Sequence, residues 1–217
     1  AVTPLGYRDG VSRSAADGHD LETYAHAQRD LQAMRVPVLH DHGDGRARLF
    51  VAYFDGTGND AADPAKGDTN IEHLHVATSN AAARDGSLGT FYLRGPGTQD
   101  SKAAAIRDSV LGSSYDARLE TMYYEFCKQA TEWLREDPDA RISLANVGFS
   151  RGAEQAAGFA RLVAERGIQD LTRGTVVRNA DGLIVEHHYP PTPLVGRHQI
   201  AQAELLFDPV GTGTPHE

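Results

Sequence analysis

The stretch Arg141–Ala153 reads RISLANVGFSRGA. Arg141 to Phe149 reads as a strand, and Ala153 to Arg166 behind it has helical spacing, with Ala153, Ala156, Ala157 and Ala160 along one side. Small side chains let such a helix lie close on a sheet. Between the two sits Gly148-Phe149-Ser150-Arg151-Gly152, the G-x-S-x-G pattern in a strand-to-helix setting. A serine on a sharp turn there lifts its Oγ clear of the backbone. Side chains two residues to either side would collide, and Gly148 and Gly152 remove them. The helix amino terminus directs partial positive charge at the serine. The pattern makes Ser150 a candidate nucleophile and the Arg151 N–H a candidate oxyanion donor.

Working outward, Leu49–Phe54 (LFVAYF) is apolar on both faces, as a buried central strand of a parallel sheet would be. It stops at the sharp loop Asp55-Gly56-Thr57-Gly58-Asn59-Asp60. A polar helix is expected from Asn70, with Ile71, Leu74 and His75 on one face. Gly89–Arg94 is a second strand candidate, and Tyr115–Arg135 is the strongest helix, with Leu119, Met122, Tyr123, Phe126, Ala130, Trp133 and Leu134 at helical spacing. Asp137-Pro138 ends it. Thr175–Arg178 and Leu183–Glu186 flank Asn-Ala-Asp-Gly, a hairpin signal. Ala203–Phe207 is a last strand, ending at Asp208-Pro209-Val210-Gly211. Strands alternating with helices predict an α/β fold with a mostly parallel sheet. Sites in such sheets lie at the carboxyl ends of strands, which selects the loops at Asp55, Ser150 and Asp208.

Composition narrows the function. The 217 residues carry a formal net charge of −9, with 40% hydrophobic and 24% charged side chains. That balance argues against a nucleic-acid partner, because a phosphate backbone demands a basic face. No run of eighteen apolar residues exists, so no transmembrane segment is expected. Cys127 is the single cysteine, which excludes an internal disulfide and a cysteine zinc cage; its apolar neighbours make it a core thiol. Residues 1–46 read as a peripheral helix (Leu21, Tyr24, Ala25, Gln28, Leu31, Met34) and polar loop, and 47–217 as the principal domain.

The Asp55 loop admits several chemistries. An apolar strand ending in Asp-Gly-Thr invites comparison with haloacid-dehalogenase-like phosphatases, but Tyr53 stands where their nucleophilic aspartate belongs. A calcium loop fits poorly, since Asp60 occupies the position that needs glycine. In an α/β-hydrolase this loop donates the second oxyanion N–H, a role open to Gly56 and Thr57. Asp55 would then support the loop by hydrogen bonds to backbone N–H groups, and a purely structural turn is the alternative. Asp208, ending a strand downstream of Ser150, stands where the triad acid belongs. The base is less plain. His216 follows Asp208 by eight positions, too few for a crossover to the next parallel strand. His187, His188 and His198 lie upstream of the acid. His40/His42 and His73/His75 form H-x-H pairs, but the sequence indicates no third metal ligand, and no metal or cofactor is assigned.

Five segments occur in order: FDGTGND at Phe54–Asp60, TNI at Thr69–Ile71, YLRGPGT at Tyr92–Thr98, GFSRGA at Gly148–Ala153 and FDPVG at Phe207–Gly211. Together they resemble the α/β-hydrolase domain of the first class of type VI secretion lipase effectors, from about Phe50 onward. The resemblance implies an α/β-hydrolase-like three-layer sandwich and a phospholipase-like esterase, with Ser150 as nucleophile and Asp208 as acid. It implies a bacterial protein, soluble and cytoplasmic until secreted, that acts at target membranes on phospholipid acyl esters. An immunity protein or the secretion machinery would be its partner. The family's histidine lies in a later G-x-H-x-D-x-G-G segment that this sequence lacks, so the domain is expected to stop short of its last strand or strands. Two other readings stand beside this one: a non-catalytic binding module with the hydrolase fold, and an esterase for small soluble acyl substrates.

Overall fold

A computed structural model describes residues 15–33, 38–60, 69–96 and 114–211. The chain divides into two compact units, Ala1–Val38 and Leu39–Glu217. The first holds helix α1 (Gly18–Ala33), which has no buried residue; Leu21, Tyr24 and Leu31 of its expected apolar stripe are exposed, and Met34 lies outside the described residues.

The second unit contains, in order, β1 (Ala47–Phe54), α2 (Asn70–Ala82), β2 (Leu88–Leu93), α3 (Tyr115–Glu136), β3 (Arg141–Phe149), α4 (Arg151–Arg166), a 3₁₀ turn (Leu171–Arg173), β4 (Thr175–Arg178), β5 (Ile184–His188) and β6 (Ala201–Phe207). Among the described residues, four strands form one sheet in the order β2-β1-β3-β6, and every pairing is parallel. β4 and β5 form a separate antiparallel hairpin, turned by Asn179–Gly182.

Strand alternation sorts side chains into two cores. Phe50, Ala52 and Phe54 of β1 face α3 and α4, where they join Met122, Phe126, Cys127, Trp133, Phe159 and Val163. Val51 and Tyr53 face the other way and pack with Ile71 of α2 and Val147 of β3. Helices therefore cover both sheet faces, giving three layers. Specific polar contacts tie the layers together. Trp133 Nε1 donates to Gly86 O at 2.8 Å, Tyr123 Oη to Gly167 O at 2.9 Å, and Arg118 Nε to Gln155 Oε1 at 3.0 Å.

One expectation changes. Leu74 is exposed rather than buried with Ile71. Helix α2 instead leans on the sheet through Ile71, His75 and Thr78, because Tyr53 Oη reaches Thr78 Oγ1 at 2.6 Å and donates to Leu74 O at 3.2 Å. β6 pairs parallel with β3 as expected; Gln202 Nε2 donates to Ala160 O of α4 at 3.1 Å, while Leu205, Leu206 and Phe207 are exposed in succession.

Strand order locates the crevice. From β1 the chain passes to β2 on one side, while β3 lies on the other. The loops leaving β1 and β3 therefore diverge, which is the topological switch point where open α/β sheets bind ligands. Those loops begin at Asp55 and at Ser150.

Candidate active site

β3 leads directly into α4 through Ser150, whose backbone stands at φ 56°, ψ −125°. A side-chain-bearing residue pays roughly 1–3 kcal/mol for such a conformation, which persists only where the surroundings impose it. Here they do. Ser150 N donates to Phe207 O at 3.0 Å, Ser150 O accepts from Ala153 N at 3.0 Å and from Val210 N at 3.2 Å. The flanking glycines are sterically required. A Cβ on Gly148 would stand 2.5 Å from Gly152 O and 2.6 Å from Ala153 Cα, and one on Gly152 would strike the carbonyl oxygens of Phe54 and Asp55. The close approach of Gly152 to Phe54 and Asp55 sets the Ser150 turn against the end of β1. Ser150 is half-buried.

The β1 loop is organised by Asp55, which is 1% exposed. Its Oδ1 accepts from Gly56 N at 2.7 Å and from Asn59 Nδ2 at 3.3 Å; its Oδ2 accepts from Thr69 Oγ1 and Tyr92 Oη, both at 2.7 Å. Thr69 also caps α2, its Oγ1 accepting from Glu72 N at 3.1 Å. One backbone amide and three side chains thus converge on one carboxylate. The loop is stitched to the β2 loop by Gly95 N donating to Asn59 O at 2.7 Å and Gly58 N to Pro96 O at 2.9 Å. Gly97 and Thr98 lie outside the described residues. Gly56 N–H is directed at Asp55, whereas Thr57 is exposed at the loop tip, its Oγ1 accepting from Arg151 Nε.

Asp208 follows β6 in a left-handed conformation, φ 47°, and is exposed. Its neighbours Phe207 and Val210 carry the two backbone bonds to Ser150, so the Asp208 loop abuts the Ser150 turn. Sequence reasoning missed Asn59, Thr69 and Tyr92 as site-building residues. Their signal was membership in three of the five ordered segments, which the structure brings together on Asp55.

The histidines sort by position. His198 N donates to Ala164 O near the carboxyl end of α4, roughly 20 Å of helix rise from Ser150. His187 lies 3.6 Å from Glu120 and stacks on Tyr189. His75 sits between Tyr53 and Tyr92 with Nδ1 3.3 Å from Thr90 Oγ1, and burial holds its imidazole below the usual histidine range. Among the described residues, no histidine is hydrogen-bonded to Ser150 or Asp208; His216 lies outside them. No helix among the described residues is long and apolar enough to cross a membrane.

Residues 48–181 match the family model described as T6SS, phospholipase effector Tle1-like, catalytic domain. The matched span includes the Asp55 and Ser150 loops; Asp208 lies beyond it. None of the curated proteins matches the chain. The match covers well over half of the sequence, and the chain belongs to the Tle1-like phospholipase effectors of the type VI secretion system.

Proposed function

We propose that the chain is a serine esterase that cleaves acyl esters of phospholipids, with Ser150 as nucleophile. The observation that carries this reading is the Ser150 backbone at φ 56°, ψ −125°, held between two glycines that tolerate no Cβ. Strain at a strand-to-helix turn lifts a serine hydroxyl into a crevice, and the fold places that turn at the switch point.

In the mechanism, a histidine base from outside the described residues takes the Ser150 proton, and Oγ attacks the ester carbonyl. The negative oxygen is held by the Arg151 N–H in the first turn of α4 and by a second amide from the β1 loop. Both Gly56 and Thr57 are suited to that loop by position. The engagement of Gly56 N–H by Asp55 favours Thr57 as the second donor. Asp208 orients the protonated histidine, and water then releases the acyl enzyme. Asp55 touches no reacting atom in this scheme; it positions the oxyanion loop. The biological setting that follows is an effector delivered against bacterial or host membranes, with an immunity protein or secretion component as partner.

A second reading, a non-catalytic binding module of the same fold, is favoured by one observation. Leu205, Leu206, Phe207 and Val210 are exposed beside the Ser150 turn, and such apolar patches mark interaction surfaces. Hydrolysis of phosphatidylcholine vesicles separates the readings. An esterase shows turnover that Ser150→Ala lowers at least about a thousandfold. Turnover unchanged by Ser150→Ala overturns the mechanism, and vesicle binding without turnover that persists when a histidine-bearing carboxyl-terminal segment is appended favours the module. Preference for monomeric short-chain esters over vesicles would shift the assignment to small acyl substrates.

A further inference from the structure

The opposite end of the sheet carries a second cluster of chemistry-bearing side chains. His40 and His42 lie in the loop before β1, and Asp85 lies in the turn between α2 and β2. In sequence they are more than forty positions apart, which is why the H-x-H pair alone indicates no third ligand. The parallel pairing of β1 with β2, which starts at Leu49 and Leu88, brings the two loops together.

One ligand atom from each of the three residues lies within 4.8 Å of the others. The rings of His40 and His42 pack edge to face with centroids 4.7 Å apart, and His42 Nδ1 is 3.6 Å from Asp85 Oδ2. Ser87 organises the carboxylate from behind. Its N–H donates to Asp85 Oδ1 at 2.9 Å, its hydroxyl donates to the same oxygen at 2.5 Å, and that hydroxyl lies 2.8 Å from His40 Nε2. These bonds hold Oδ1 and leave Oδ2 toward the histidines. Hydrogen-bonded support of this kind orients metal ligands. It also holds the Asp85 carboxyl below its ordinary range, chiefly through Ser87 and secondarily through the two imidazoles.

We propose that His40, His42 and Asp85 bind a divalent cation of the zinc class, through one ring nitrogen of each histidine and Asp85 Oδ2. Two imidazoles and a carboxylate are a borderline-soft donor set that suits zinc over calcium or magnesium. Bonds of about 2.1 Å place tetrahedral ligands roughly 3.4 Å apart. The ligand atoms lie within 4.8 Å of one another, so binding draws them closer together, and the His42 side chain, 80% exposed, can rotate toward the ion. A water completes four-coordination. The site lies at the amino ends of β1 and β2, about a strand length from Ser150, so its role is to clip two loops together rather than to act in the ester chemistry. The other H-x-H pair differs. His73 and His75 are two apart on helix α2, where side chains do not face each other.

Zinc titration of the chelator-stripped chain, followed by calorimetry and thermal melting, tests the site. One zinc per chain is expected, with Tm raised by roughly 5–10 °C at a hundredfold excess over Kd. His42→Ala should keep the metal-free Tm within about 2 °C, since its side chain is largely exposed. His42→Ala and Asp85→Asn should each weaken zinc binding at least tenfold. Absence of binding by the unaltered chain overturns the proposal, as does binding of equal strength in both variants.

Discussion

At Asp55 one carboxylate gathers Gly56 and Asn59 of the β1 loop, Thr69 at the cap of α2 and Tyr92 of strand β2. Removing it takes this acceptor from the Gly56 amide, the Asn59 side-chain amide and two hydroxyls. Asp55→Ala is therefore expected to lower unfolding stability by about 3 kcal/mol, read as a lower denaturant midpoint; a loss under about 1 kcal/mol would contradict the assigned role. Ser150 poses the opposite case. Its φ of 56° is costly for any side chain and cheap for glycine, so Ser150→Gly should be about 1 kcal/mol more stable than Ser150→Ala. Equal denaturant midpoints would remove the strain argument. An aspartate ending an apolar strand was plain in the sequence, but its partners were not. Thr69 and Tyr92 stand 14 and 37 positions along; the first arrives at the cap of α2, the second through the register that opposes Tyr53 to Tyr92.

Helices α3 and α4 were legible as elements because their apolar spacing repeats over many turns, and most of each stripe is buried, Leu134 and Ala157 being half-buried. Helix α2 was legible in existence but not in facing. With few apolar residues, its contact with the sheet is decided by the Tyr53–Thr78 hydrogen bond, which no periodicity reports. The buried stripe of α3 yields a pH prediction. Burial is the main cause that pushes the Cys127 thiol up to about 12, from an ordinary value near 9. The unfolded chain then loses that proton first as pH rises. The thiol's contribution is fully present below pH 9 and falls between pH 9 and 12 by roughly 1.4 kcal/mol per unit. Denaturant titrations across that window check the decline, and native Cys127 should resist maleimide until the protein unfolds. Rapid modification of the native thiol at pH 8 would contradict its buried placement.

Across the whole molecule, the two ends of the sheet carry separate clusters of polar side chains. The carboxyl ends of β1 and β3 open the crevice at Asp55 and Ser150, while the amino ends of β1 and β2 hold the His40–His42–Asp85 cluster. Alternating strands and helices announced an α/β sheet, yet strand order could not be read locally, since it depends on which edge each crossover takes. The same limit hid β6 beside β3, where its backbone supports Ser150. The central claim is that Ser150 is an activated nucleophile, and covalent capture by a fluorophosphonate probe tests it most directly. Peptide mapping of the labelled full-length chain should place the adduct on Ser150, with labelling abolished in Ser150→Ala. A chain that turns over phospholipid while Ser150 remains unmodified would contradict the account.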